Sequence, residues 1–133
     1  MKNSEEYWRK KLSPEQYHVL RERGTEAPGT GKFLHNKKTG IYACGACGNA
    51  LFDSKTKFDS ETGWPSFYDA LSKSGKSSVK LKKDFSMILP RTEVLCAKCG
   101  SHLGHIFSDG PKEKTGKRYC MNSIALDFKE KKK

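Results

Sequence analysis

No stretch of this 133-residue chain approaches the ~20 consecutive apolar residues that an α-helix needs to cross a bilayer, so a helical membrane span is excluded. The opening Met1-Lys2-Asn3-Ser4-Glu5-Glu6 lacks the apolar core of a secretory signal, and the expected compartment is the reducing cytoplasm, with no membrane partner. Arginine is scarce: Arg9, Arg21, Arg23, Arg91 and Arg118 are the only arginines among 26 basic residues. Base readout and stacking favour arginine and exposed aromatics, and no such stripe is present. The net charge of +11 therefore reads as a solvated lysine surface, with clusters at Lys80, Lys82 and Lys83 and in the tail from Lys129 to Lys133. No nucleic-acid partner is expected. Internal repeats are absent beyond two short cysteine knuckles. A chain of this size buries one core but not two, so the expected organisation is a single domain over 1–133, working as a monomer. Within it, the expected parts are an N-terminal helical and loop arm over 1–30, a β core over 33–128 and a basic tail over 129–133.

What is present is concentrated in five cysteines. Cys44 and Cys47 form one Cys-x-x-Cys pair and Cys96 and Cys99 a second, with 48 residues between them. Two such pairs supply the four thiolates of a closed tetrahedral zinc site. Gly48 and Gly100 follow the second cysteine of each pair and allow the tight turn that such a knuckle needs. A closed site leaves no coordination position for substrate, so the metal, one Zn2+ per chain, is expected to hold structure. Disulfides among the same cysteines are the competing reading. Cys120 is left without a partner and is the first candidate nucleophile.

Two helices are expected at the N-terminus. Ser4 caps a first segment to about Leu12. Ser13-Pro14-Glu15-Gln16 then reads as a capping box with Pro14 at the first helical position. Tyr17, Leu20 and Arg21 share one face, and Gly24 ends the helix. Residues 25–32 read as a Pro- and Gly-rich loop. After that come short strands: Ile41–Cys44, Ala50–Phe52 before the turn Asp53-Ser54-Lys55, and Thr92–Leu95. Residues Leu71–Lys83 read as an exposed loop or ragged edge strand, and Tyr119–Phe128 as one long core strand. The fold class is mainly β, with twisted antiparallel sheets, short N-terminal helices and a four-cysteine zinc clip.

Residues two apart on a strand share a face, so Arg118, Cys120 and Asn122 project together. A cation beside a thiol lowers its pKa, and this setting suits an activated nucleophile; a buried structural cysteine is the bland alternative. Directly after the second knuckle, His102, His105 and Asp109 offer two imidazoles and a carboxylate suited to acid–base work, or else a His-bearing turn with no role. Gly63-Trp64-Pro65-Ser66-Phe67 presents an indole that either walls a pocket or packs in the core.

Together these segments resemble the type B methionine sulfoxide reductases, the methionine-R-sulfoxide reductase family. The resemblance runs from about Tyr17 to Phe128. It includes Arg23-Gly24-Thr25-Glu26, Lys57-Phe58-Asp59-Ser60, Gly63–Phe67, Arg91-Thr92-Glu93-Val94, His102–Phe107, Asp109-Gly110-Pro111 and Arg118–Ser123. Members with both Cys-x-x-Cys pairs are the zinc form. The resemblance implies reduction of the R epimer of methionine sulfoxide, chiefly in oxidised proteins. It implies Cys120 as the attacking thiolate, His105 backed by Asp109 and His102 as proton donor, Arg118 and Asn122 as tuning and orienting groups, and Trp64 and Phe107 as substrate contacts. A sulfenic acid on Cys120 follows.

One departure stands out. Many members carry a resolving cysteine two residues before the tryptophan, where this chain has Thr62, and there is no sixth cysteine. Regeneration is therefore expected from outside, by thioredoxin or another thiol reductant. The rival from a different class is a zinc-ribbon module binding RNA or DNA, which would tolerate loss of Cys120 and show steep salt dependence.

Overall fold

The computed structural model describes residues 5–85 and 91–130. The expected cap at Ser4 and residues 131–133 of the basic tail lie outside the described residues. Two helices open the chain, α1 (Glu5–Lys11) and α2 (Pro14–Glu22). The capping box forms: Gln16 N–H donates to Ser13 Oγ at 3.2 Å and Ser13 N–H to Gln16 Oε1 at 3.0 Å. Glu5 and Glu6 lie in the first turn of α1 and Arg9, Lys10 and Lys11 in its last, each opposite in sign to the helix dipole it meets. The α2 C-cap differs from expectation. Arg23, with φ 60°, takes the left-handed position assigned to Gly24. A non-glycine residue there costs of order 1–3 kcal/mol, so something must hold it.

The strands follow: β1 (Gly40–Cys44), β2 (Ala50–Asp53), β3 (Lys57–Phe58), β4 (Ser66–Phe67), β5 (Ser72–Lys73), β6 (Lys76–Ser77), β7 (Val79–Asp84), β8 (Arg91–Cys96), β9 (His102–Phe107), β10 (Arg118–Met121) and β11 (Leu126–Glu130). They build a three-stranded sheet in the order β11-β1-β2, a six-stranded sheet in the order β3-β4-β10-β9-β8-β7, and the small hairpin β5-β6. Every pairing is antiparallel, as the mainly β reading expects. The two larger sheets meet through aromatic side chains. Phe67 stacks on Phe52 at 4.4 Å between ring centroids and meets Tyr42 edge-on at 5.1 Å. Leu51, Val94, Leu103 and Met121 complete this interior, all fully buried.

Three strand readings change. Tyr119–Phe128 is not one strand: β10 ends at Met121, Ser123–Ala125 makes a 3-10 turn, and β11 enters the other sheet. Asn122 and Ser123 are turn formers, and the apolar alternation survives because both strands and the turn face the shared interior. Residues 71–83 resolve into the β5–β6 hairpin and a regular edge strand, with β7 paired to β8 over all six residues from Val79 to Asp84. The segment from His102 is an interior strand, β9, rather than a turn.

Register decides where the chemistry goes. Tyr119 and Met121 of β10 point into the interior, so Arg118 and Cys120 point to the other side of the sheet. Cys120 pairs directly with His105, and His105 with Glu93. Asp84 pairs with Arg91, two residues before Glu93. One sheet face therefore carries Cys120, His105, Glu93, Arg91 and Asp84 in a diagonal band. Gly104 keeps the strands this close, because a Cβ there would collide with the Cys120 carbonyl.

Candidate active site and metal centre

The two knuckles bring Cys44, Cys47, Cys96 and Cys99 together, their sulfurs all within 4.8 Å of one another. Cys44 Sγ lies 3.7 Å from Cys99 Sγ, and Cys47 Sγ 3.6 Å from Cys96 Sγ. Matching turns make this possible. Gly48 N–H donates to Cys44 O and Gly100 N–H to Cys96 O, each at 2.8 Å, and both glycines sit at positive φ. Burial pushes the Cys47 thiol up to about 11, while the hydrogen bond from Cys44 pushes Cys99 down. Sulfurs packed this tightly share protons unevenly, and a cation is the partner that lets all four ionise. The cluster is a four-sulfur site able to hold a metal ion. Cys44 ends β1 and Cys96 ends β8, so the cluster joins the two sheets.

On the outer face of the six-stranded sheet, a cavity of about 200 Å3 is lined by Thr25, Thr62, Trp64, Arg91, Gly104, His105, Phe107, Arg118, Cys120 and Asn122. A larger groove of about 750 Å3 lies between α2 and residues 25–32, but no cysteine lines it and it shares only Thr25 with the first. The smaller cavity therefore collects six of the expected residues: Cys120, His105, Arg118, Asn122, Trp64 and Phe107. His102 and Asp109 are elsewhere.

Burial pushes the Cys120 thiol up, and the Arg118 charge and a hydrogen bond from Thr62 only partly oppose it. Arg118 lowers the thiol pKa in the direction expected of a neighbouring cation, but burial is the larger effect. Its guanidinium is shared: Nε and Nη2 donate to Asp109 at 2.8 and 3.3 Å, and the group lies 4.3 Å over the Phe107 ring. Asp109 is thus a surface partner of Arg118, its side chain 68% exposed, and not the support of His105.

His105 instead has Nε2 2.8 Å from Asp84 Oδ2, and His102 has Nδ1 2.6 Å from Glu93 Oε2. Both carboxylates are buried, Asp84 at 3% and Glu93 at 2% exposure. Buried carboxylates need counter-charges, and arginines provide them. Arg23 bridges the pair, 3.2 Å from Asp84 and 3.2 Å from Glu93, and Arg91 lies 3.4 Å from Asp84. Arg23 makes this double ion pair from its left-handed C-cap position, where its backbone N–H also donates to His18 O. Burial pushes the His102 imidazole down, and the hydrogen bond and charge of Glu93 only partly oppose it.

Trp64 and Asn122 are both fixed by one loop residue. Glu26 O accepts from Trp64 Nε1–H at 3.0 Å, and Glu26 N–H donates to Asn122 Oδ1 at 3.0 Å. The Glu26 carboxylate accepts from Ile124 N–H at 3.0 Å. Sequence reasoning assigned no role to Arg23, Glu26, Glu93 or Arg91, although all four lie in motifs that carry the resemblance. Asp84 carried no signal at all.

Residues 12–130 match the SelR domain family. The peptide methionine sulfoxide reductase MsrB of Methanosarcina barkeri is 57% identical over 129 residues, covering 97% of this chain and 88% of the relative. The MsrB of Leifsonia xyli subsp. xyli is 57% identical over 125 residues, 94% of this chain and 88% of its own length. The mitochondrial methionine-R-sulfoxide reductase B3 of Mus musculus is 50% identical over 125 residues, 94% of this chain and 48% of that longer protein.

Two outcomes are expected from this geometry. Protein purified without chelator should carry one equivalent of tightly bound metal by elemental analysis. The Cys44→Ser Cys96→Ser variant should lose the metal and its cooperative melt, because such sites supply on the order of 10 kcal/mol to folding. Alkylation of native Cys120 by iodoacetamide should accelerate with pH to a midpoint above that of an ordinary thiol. Arg118→Met should raise the midpoint further, since removing a cation destabilises the thiolate.

Proposed function

The chain belongs to the SelR-domain family, and on that premise we propose that it is an oxidoreductase that returns methionine-R-sulfoxide, chiefly in proteins, to methionine. The observation that carries this reading is one cavity lined by a thiol (Cys120), an imidazole (His105) and an indole (Trp64). A thiol that accepts oxygen, a donor that protonates it and an apolar wall for an S-methyl group are the minimum set for the reaction.

The Trp64 ring takes the substrate methyl group, an apolar and sulfur–aromatic contact worth up to ~1.5 kcal/mol. Phe107, covered on one face by Arg118, forms a second apolar contact. The sulfoxide oxygen is directed at His105, whose acid form gives it a proton. The Cys120 sulfur attacks the sulfoxide sulfur as the S–O bond weakens. The oxygen then passes to the Cys120 sulfur as its bond to the substrate sulfur and the transient bond between the two sulfurs break; His105, left neutral by its donation, takes up the thiol proton, so the net change is from S–H and S=O to S–OH and a thioether. Cys120 is oxidised to a sulfenic acid and methionine leaves. Asn122, held by Glu26 and by its own Nδ2–H to Leu103 O at 3.1 Å, shapes the pocket beside the sulfur. Arg118 offsets part of the burial cost of a Cys120 thiolate.

Zinc is the proposed metal. Four thiolates at the usual Zn–S length of about 2.3 Å lie about 3.8 Å apart, close to the spacings of this cluster. Its role is structural, fixing β9 and the knuckle before it. Thr62 hydrogen-bonds to Cys120, and the four other cysteines are in the cluster, so the sulfenic acid meets no free thiol of its own chain. An external thiol, thioredoxin or a small-molecule reductant, completes the cycle.

The test is an assay on separate R and S epimers of methionine sulfoxide with dithiothreitol as reductant. Turnover of the R epimer alone is expected, with none in Cys120→Ser and zinc content unchanged in that variant. Equal turnover of both epimers, or activity in Cys120→Ser, contradicts the assignment. One equivalent of substrate without reductant should add one oxygen to the intact mass, trapped by dimedone on Cys120. A loss of two hydrogens, with zinc release, would mean that a cluster cysteine resolves the intermediate.

A further inference from the structure

We propose that Asp84, held by Arg23 and Arg91, is the positioning residue that orients His105 and stabilises its protonated form. The proposal rests on the reading of His105 as proton donor. It assigns this support to the far end of the edge strand β7 instead of to Asp109, four residues along from His105.

The argument is geometric. Asp84 Oδ2 lies 2.8 Å from His105 Nε2, and a carboxylate can only accept there, so Nε2 carries hydrogen. Nδ1 is then the ring nitrogen left for the cavity that His105 lines. Donation from Nδ1–H to the sulfoxide oxygen leaves a neutral imidazole that still donates Nε2–H to Asp84. The carboxylate keeps its bond through the step and attracts only the charged form.

Asp84 is locked from two directions, by Arg23 at 3.2 Å and Arg91 at 3.4 Å. Other charged or titratable groups around His105 are Glu93, its direct partner on β8, Cys120, its direct partner on β10, Arg118, and the His102 ring at 5.4 Å. Glu93 is engaged by His102 and Arg23, and Arg118 by Asp109. Asp84 is the carboxylate hydrogen-bonded to the His105 ring. Arg23 makes its bridge to Asp84 and Glu93 from the left-handed C-cap position.

The sign of the pH effect follows. A donor works below its titration midpoint, and removing the carboxylate lowers that midpoint, so the falling alkaline limb of the rate profile moves to lower pH. Single-turnover reduction of an R-sulfoxide peptide should show this limb displaced downward by about one unit in Asp84→Asn, with the rate at neutral pH down roughly tenfold and KM nearly unchanged. Arg91→Met removes a counter-charge from Asp84 and should displace the limb the other way. That opposite movement is not expected of a residue that merely stabilises the fold. The His105 Cε1–H resonance, titrated by NMR in the absence of substrate, should move in the same two directions. It reads the Asp84–His105 coupling even if the protein reduces no sulfoxide, which would overturn the functional reading alone. Unchanged His105 titration in both variants, or movement of both in the same direction, overturns the proposal. Should Asp84→Asn fail to fold, Arg91→Met decides by the sign of its displacement.

Discussion

The four-cysteine cluster is the constraint on which the rest of this structure depends. Cys44 closes β1 in the three-stranded sheet and Cys96 closes β8 in the six-stranded one, so the cluster is a cross-link between sheets that otherwise meet through side-chain packing. The chain leaving Cys99 has only Gly100 and Ser101 before β9 begins. Ser101 is itself anchored, accepting a hydrogen bond from Arg21 at 3.2 Å, and Arg21 also donates to Cys99 O at 3.3 Å. The start of β9, and with it the height of His105 along the sheet, is therefore set from the cluster and from α2 together. A residue of slippage would turn His105 into the interior and Gly104 outward.

Given that register, the sheet works as a ruler. Cys120, His105 and Glu93 are direct neighbours across three strands, and alternation puts all of them on the face away from the aromatic interior. Such a face is costly to cover, because it carries two buried carboxylates. Arg23 and Arg91 answer that cost with two positive charges for the two negative ones, which leaves the patch near neutrality. Arg23 reaches it because α2 ends over β9, and the capping box is what starts α2 at Pro14 and so sets where it stops. A sequence signal at Ser13 is in this way connected to the environment of His105.

Much of the fold could be read from the residues. Ser13 and Gln16 announce a helix start whose side-chain chemistry is local, and the cysteine pairs announce a cluster because the spacing within each pair is itself a turn. Cys120 stood out as the cysteine without a partner, and Trp64 stood out by its dipeptide with Pro65. What could not be read depended on tertiary proximity. Asp109 looked like the support of His105 because four residues separate them, but along an extended strand that is about 13 Å. Asp84 is 21 residues away from His105 and arrives beside it through two strand pairings. The single strand read over 119–128 failed for a related reason. Periodicity records which side faces the interior, and the interior here is shared by two sheets, so the pattern runs unbroken through the turn at Ser123–Ala125.

The balance at Cys120 fits the reaction proposed for it. A nucleophile whose thiol is pushed up by burial is poorly ionised before substrate arrives, which at first sight weakens it. Oxygen transfer from a sulfoxide to a thiol, however, conserves the thiol proton: it must leave sulfur and finish on oxygen. A site that held Cys120 as a stable thiolate would have to import that proton at each turnover. A half-buried thiol beside a histidine anchored to a carboxylate keeps proton and acceptor in one pocket, and ionisation of sulfur can then be coupled to protonation of the sulfoxide. Burial also limits the exposure of the thiol to oxidants other than the substrate that fills the cavity. On this argument Arg118 serves by opposing burial only in part, since full compensation would yield a thiolate ready before there is anything to attack.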